Sequence, residues 1–309
     1  MNLSPDPVSI REVGLRDGLQ SIARTLPTEL KLEWLRDAHA AGLREIEVGS
    51  FVPARLLPQL ADTAELVAFA KTLPGLTVSV LVPNLKGAER ALESGAHAML
   101  LPLSASQAHS LANLRKTPEE VLREIAAIVA LRDAAGASCH VEIGISTAFG
   151  CTLQGRVEPE EVLHLLRAVS DLGVDAIGLA DTVGYADPKA VSSLFASGLE
   201  IAGNRLGCGH FHDTRGLGMA NAFAAWQVGI RRFDASLGGL GGCPHAPGAS
   251  GNVATEDLAY LFASMDEETG LDFDALIALR GKVAGWLEDV PLHGSIWRAG
   301  LPKTMREAA

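Results

Sequence analysis

The chain alternates a short apolar run with a longer amphipathic one, and it does so eight times. The short runs cover residues 8–13, 45–48, 77–82, 98–101, 140–145, 176–179, 206–211 and 232–236. They are rich in β-branched residues, as strands buried on both faces should be. The amphipathic runs predict helices over 28–41, 58–71, 85–94, 118–135, 159–172, 188–202, 216–228 and 255–265. Several begin with a cap and a proline, as in Thr117-Pro118-Glu119-Glu120, and several end at a glycine such as Gly42, Gly95, Gly173 or Gly229. Eight strand–helix units of about 30 residues each predict a closed (β/α)8 barrel. An open doubly wound sheet would usually place GxGxxG after its first strand, and Val13-Gly14-Leu15-Arg16 is not that. A further amphipathic stretch, 273–288, is expected to pack on the barrel. The chain is therefore read as one domain over 1–309, a barrel over about 8–268 with a C-terminal helical extension over about 269–309.

Composition narrows the function classes. With 48% hydrophobic and 20% charged residues, a large core can form and wholesale disorder is disfavoured. A formal charge of -11 argues against a nucleic-acid partner, although local arginines can still hold an anionic ligand. Cys139, Cys151, Cys208 and Cys243 form no CxxC pair, which predicts a reduced, cytoplasmic setting. No secretory signal, membrane-length apolar run or lipidation signal is visible, so no membrane partner is expected.

In a barrel of this kind, chemistry belongs at the C-terminal ends of the strands. Arg16 and Asp17 follow strand one, Glu47 ends strand two, Asp181 and Thr182 follow strand six, and His210 and His212 end strand seven. Cys243 and Asn252 lie in the glycine-dense segment after strand eight. Residues i and i+2 of a strand share a face, so His210 and His212 are either a hydrogen-bonded core pair or a metal clamp. Asp17 and Asn252 on neighbouring rim loops favour the clamp. A set of two His, one Asp and one Asn amide suits Mg²⁺ or Mn²⁺, with Zn²⁺ or Co²⁺ as substitutes, and leaves positions for a bidentate substrate. Arg16 is either a plain salt-bridge partner of Asp17 or a fixed donor to a developing oxyanion. Glu47 is either a structural ion pair or a rim group that orients the ligands or balances the charge of Arg16. Cys243, off any apolar strand face, is a candidate nucleophile or acid.

These segments resemble the 3-hydroxy-3-methylglutaryl-CoA (HMG-CoA) lyase family of metal-dependent barrel lyases. The resemblance rests on VGLRDGLQ at 13–20, IEVGSFV at 46–52, VPNLKG at 82–87, ADTVG at 180–184, HFHDT at 210–214 with its preceding glycine, and GLGGCPHAPGASGNVATEDL at 239–258. It covers nearly the whole chain, and the cysteine segment separates it from condensing relatives. It implies an acyl-CoA substrate, a divalent metal on Asp17, His210, His212 and Asn252, Arg16 as enolate stabiliser and Cys243 as proton donor. Glu47 and Asp257 would be supporting acids, and His210 a candidate base only if it is not a firm ligand. It also implies acetyl-CoA and acetoacetate as products, a place in leucine degradation and ketone-body metabolism, and a homo-oligomer, with a dimer favoured. Two positions depart from the family pattern. Glu142 stands where an arginine is usual at the end of strand five, and Thr152 follows Gly150-Cys151 where a proline is usual. Both are placed on the substrate-facing rim. They bear on the acyl group and leave open related branched substrates such as citramalyl-CoA or an isoprenoid-derived glutaryl-CoA. The other readings are a condensing acyltransferase, which the cysteine segment disfavours, and a non-catalytic metal- or acyl-CoA-binding barrel, against which the retention of Arg16, Asp17, both histidines, Asn252 and Cys243 argues.

Overall fold

The computed structural model describes residues 7–242 and 251–306. Eight parallel strands close into a barrel in chain order: β1 (Ser9–Glu12), β2 (Glu45–Ser50), β3 (Thr77–Leu81), β4 (Ala98–Ser104), β5 (His140–Ser146), β6 (Ala176–Asp181), β7 (Leu206–Phe211) and β8 (Arg232–Ala235). This is the predicted (β/α)8 barrel. The apolar runs mark the strands because both strand faces are covered. Pairing outlasts hydrophobicity, however: β2, β4, β5 and β6 run on into Ser50, Ser104, Ser146 and Asp181. Those polar residues form the C-terminal mouth.

Helices α1 (Thr28–Ala40), α2 (Thr63–Ala70) and α3 (Leu85–Ser94) follow the first three strands. The helix predicted over 58–71 is broken into a short 3-10 turn and α2. The Thr63 hydroxyl bonds back to the carbonyls of Leu60 (2.7 Å) and Ser50 (3.1 Å), tying the break to the end of β2. After β4 come two helices, α4 (Gln107–Leu114) and α5 (Pro118–Ala134), where the periodicity predicts one. The short α4 is started by the Ser106 hydroxyl, which accepts from the His109 N–H. Helices α6 (Pro159–Ser170), α7 (Pro188–Ala202), α8 (Gly218–Gln227) and α9 (Thr255–Ala263) complete the outer ring.

The C-terminal segment adds α10 (Phe273–Trp286), α11 (Ile296–Ala299) and α12 (Lys303–Arg306). Helix α10 lies along α1, with the Trp34 and Trp286 rings 6.4 Å apart and Lys282 Nζ within 2.7 Å of Glu33 and Asp37. Trp34, Phe195, Phe211, Phe233 and Phe262 are fully buried between barrel and helices. Among the described residues, no helix is long and apolar enough to cross a membrane.

Candidate active site at the barrel mouth

The chain leaves β1 through one π-helical turn, Gly14–Gly18, in which the N–H groups of Asp17 (2.7 Å) and Gly18 (3.3 Å) both reach the carbonyl of Val13. Such wide turns recur at functional sites because they re-aim side chains. Here the turn buries Arg16 and Asp17 side by side. Glu12 holds it in place. One carboxylate oxygen accepts from the N–H of Gly14 (2.8 Å) and Leu237 (3.2 Å), and the other from the Thr255 hydroxyl (2.6 Å). Gly14 is required by closeness, since a Cβ there would lie 2.5 Å from Glu12 Oε1.

Burial raises the Glu12 carboxyl from 4.5 to about 7 despite those hydrogen bonds. A carboxyl raised in the fold favours folding while protonated. Its contribution is complete below pH about 4.5 and is lost as pH climbs to about 7. The difference corresponds to roughly 3 kcal/mol. Glu12→Gln keeps the acceptor for Gly14 and Leu237 but cannot ionise. Urea unfolding of both proteins is expected to show stabilities that diverge in favour of the variant up to pH about 7 and run parallel above it. A pH-independent difference would contradict this.

At the end of β7, His210 and His212 come together with Asp17. Ligand-capable atoms of the three residues all lie within 4.8 Å of one another. The two histidine Nε2 atoms are 3.1 Å apart, and His212 Nε2 is 3.9 Å from Asp17 Oδ2. Asn252 joins them through Nδ2, which donates to Asp17 Oδ2 (2.7 Å) and to the Leu240 carbonyl (3.1 Å). Its amide oxygen and His212 Nδ1 are buried without a hydrogen-bond partner. Gly241, at φ 138°, makes this approach possible, because a Cβ there would sit 2.3 Å from Asn252 Nδ2. Two facing imidazole nitrogens can share only one proton between them. With a carboxylate and an unpartnered amide oxygen beside them, the four side chains fit a divalent cation of mixed nitrogen and oxygen preference.

The electrostatics follow from burial and neighbours. Burial and then the nearby His210 push His212 down to about 4. His210 moves the other way: burial would lower it, but the Asp234 hydrogen bond and the Asp234 and Asp17 charges raise it. Burial would raise Asp17, but Arg16 and the two histidines outweigh that and hold it below the ordinary carboxylate range.

Arg16 is gripped twice. Its Nε donates to Glu47 Oε2 (2.7 Å) and its Nη1 to Asp17 Oδ1 (2.6 Å). Glu47 is fully buried beside a bulge in β2, and burial raises it against the pull of Arg16. Arg16, Asp17, Glu47, His210, His212 and Asn252 thus converge on one mouth although the sequence separates them widely. Cys243 and its neighbours 244–250 lie outside the described residues.

Two expectations change. Glu142 is not on the rim. It is the third residue of β5, inside the barrel, where both carboxylate oxygens meet Arg11 (3.0 and 3.1 Å) and one lies 2.7 Å from Arg232 Nη2. The strand runs on to Ser146, which moves its functional end past Glu142. Thr152, by contrast, does lie beyond the strand, in a loop closed by Cys151–Gly155 backbone hydrogen bonds of 2.8 and 2.7 Å. Asp257 does not support the site, because its carboxylate accepts the N–H groups of Ser295 and Ile296 and so holds the C-terminal segment. Asp181 shapes the loop after β6 by accepting from Tyr185 (2.8 Å) and Ala186 (3.1 Å) N–H. The sequence reading missed Glu12, Arg11 and Asp234. Each is a charge inside an apolar run, and such a residue must find a buried partner.

Fold and site together define a (β/α)8 barrel with a cluster able to hold a metal ion at its C-terminal mouth. The HMGL-like family profile matches residues 7–283, and the chain belongs to that family. It is 41% identical to the 3-hydroxy-3-isohexenylglutaryl-CoA/hydroxymethylglutaryl-CoA lyase of Pseudomonas aeruginosa, over 90% of this chain and 91% of that one. It is 40% identical to the (R)-citramalyl-CoA lyase of Chloroflexus aurantiacus, over 96% and 95%. Among solved structures, an HMG-CoA lyase of Acinetobacter baumannii in complex with coenzyme A and 3-methylmalate superposes with a TM-score of 0.90 at 38% identity, over 97% of both chains.

Proposed function

We propose that the protein is a divalent-metal-dependent carbon–carbon lyase that cleaves a 3-hydroxy-3-methylglutaryl-CoA-like thioester to acetyl-CoA and a keto acid, acetoacetate for HMG-CoA itself. The observation that carries this reading is the Asp17–His210–His212 cluster beside the Arg16–Glu47 pair in a chain of this family. Asp17, His210, His212 and Asn252 would hold the cation, Mg²⁺ or Mn²⁺ by donor type. A cation bound there supplies Lewis acidity that makes the substrate's 3-hydroxyl easier to deprotonate. A base removes that proton, the bond between carbons 2 and 3 breaks, and its electron pair passes to the thioester as an enolate. Arg16, held rigid by Glu47 and Asp17, offers its positive charge to the enolate oxygen. Cys243 delivers the proton to carbon 2. His210 has its Nε2 turned toward His212, which favours a ligand over a base.

The reading also carries a cytoplasmic homo-oligomer acting on free acyl-CoA. A coupled assay of acetyl-CoA release tests the reaction, with HMG-CoA, citramalyl-CoA and 3-hydroxy-3-isohexenylglutaryl-CoA offered in turn, with Mg²⁺ or Mn²⁺ and with chelator. Release that requires the cation is expected from at least one of the three. No release from any of them would overturn the lyase reading.

A further inference from the structure

His210, Asp234 and Arg11 form one row across three neighbouring strands. In register, His210 of β7 stands opposite Asp234 of β8, and Asp234 opposite Arg11 of β1. The side chains follow the row. His210 Nδ1 is 3.1 Å from Asp234 Oδ2, and Arg11 Nε donates to Asp234 Oδ1 at 2.8 Å. The two remaining arms of Arg11 close on both oxygens of Glu142, which reaches across the barrel from β5. All three charged groups are at least 95% buried.

We infer that Asp234 is a positioning residue which fixes the His210 tautomer, and that Arg11, anchored by Glu142, fixes Asp234. A carboxylate can only accept, so a neutral His210 facing it carries its proton on Nδ1. Its Nε2 is then bare, and Nε2 is the atom that faces His212 Nε2 at 3.1 Å. The inference rests on the metal reading given above, since a bare Nε2 matters there as a cation ligand. It extends that reading from the mouth of the barrel into its interior.

Asp234→Asn tests the inference through a geometric asymmetry. Arg11 has only N–H groups to offer and selects the amide oxygen. The amide NH₂ therefore faces His210 Nδ1, and His210 must carry its proton on Nε2, against the cation. Mn²⁺ affinity, measured by calorimetry and by electron paramagnetic resonance on the purified full chain, is expected to fall about 10–100-fold. Arg11→Met combined with Asp234→Asn frees the amide to turn. That double variant is expected to recover cation affinity although it removes more buried polar contacts than the single one. A purely structural role predicts the reverse order. Nitrogen-15 spectra of the cation-free wild type, at a pH where His210 is neutral, give a reading independent of any variant's folding, with the proton expected on Nδ1. Finding it on Nε2, or finding Mn²⁺ affinity unchanged in a folded Asp234→Asn, overturns the inference. A wild type that binds no Mn²⁺ overturns the metal reading instead, while the nitrogen spectra still report the tautomer.

Discussion

Arg16→Gln is expected to lower kcat about 10³-fold while leaving Mn²⁺ affinity close to that of the wild type. The arginine is held by Glu47 through Nε and by Asp17 through Nη1. Its geometry is therefore set before substrate arrives, and pre-set donors contribute most where charge develops in a buried setting. Glutamine fills part of the space but brings no charge to an enolate. The cation site should survive, because loss of Arg16 removes the largest influence that lowers the Asp17 carboxyl and so makes Asp17 a more basic ligand. Parallel measurement of acetyl-CoA release and Mn²⁺ binding checks the division. If both fall together, Arg16 acts on the cation site and not on the reaction.

The second large effect is expected at His212. His212→Ala should weaken Mn²⁺ binding by more than the ~10–100-fold typical of residues that only support ligands. The cation-free fold should be little affected. The His212 side chain is buried, yet its Nδ1 has no partner and its Nε2 meets the His210 imidazole. Removing it sacrifices few hydrogen bonds. The wild type should gain melting temperature as Mn²⁺ is added, as any ligand bound only to the native state requires. The variant should gain none over the same range. A variant that keeps the full Mn²⁺-dependent rise would place the cation elsewhere.

The order and type of the barrel elements were legible because a strand covered on both faces must be apolar, and eight such runs stand out. Their ends were not. At Ser104, Ser146 and Asp181 the backbone stays paired while the side chains turn polar, because those side chains bond to nearby backbone and to the segments that leave the strands: Ser104 Oγ to Thr147 and His109, Ser146 Oγ to the Leu103 carbonyl, and Asp181 to the Tyr185 and Ala186 N–H groups. Helix α4 escaped notice because a Ser106 cap and tertiary contacts hold it, not periodicity. At the site, Arg16, Asp17, Glu47, His210 and His212 could be picked out as charged or polar residues at the ends of apolar runs, and Asn252 as the residue that closes the glycine-dense segment after strand eight. Their partners deeper in the barrel could not. Arg11 meets Glu142 across 131 residues and Asp234 across 223, and only strand register reveals such pairs. Glu142 was misplaced for the same reason. Asp257 was misjudged because its partners are backbone N–H groups some 38 residues away, which leave no mark in the side-chain pattern.

Arg11 also bears on how the barrel is assembled. The half of the chain from β1 to β4 contains this buried cation but neither of the acids that neutralise it, Glu142 and Asp234. A nascent N-terminal half would have to keep Arg11 in water, since a buried charge with no partner costs several kcal/mol. Closure of β8 onto β1 is therefore the step at which the first strand becomes fully dry. The seam between β8 and β1 is thus an ion pair, and a chain divided between β4 and β5 is expected to give two halves that fold together but not apart, which circular dichroism of each half alone and of their mixture would check.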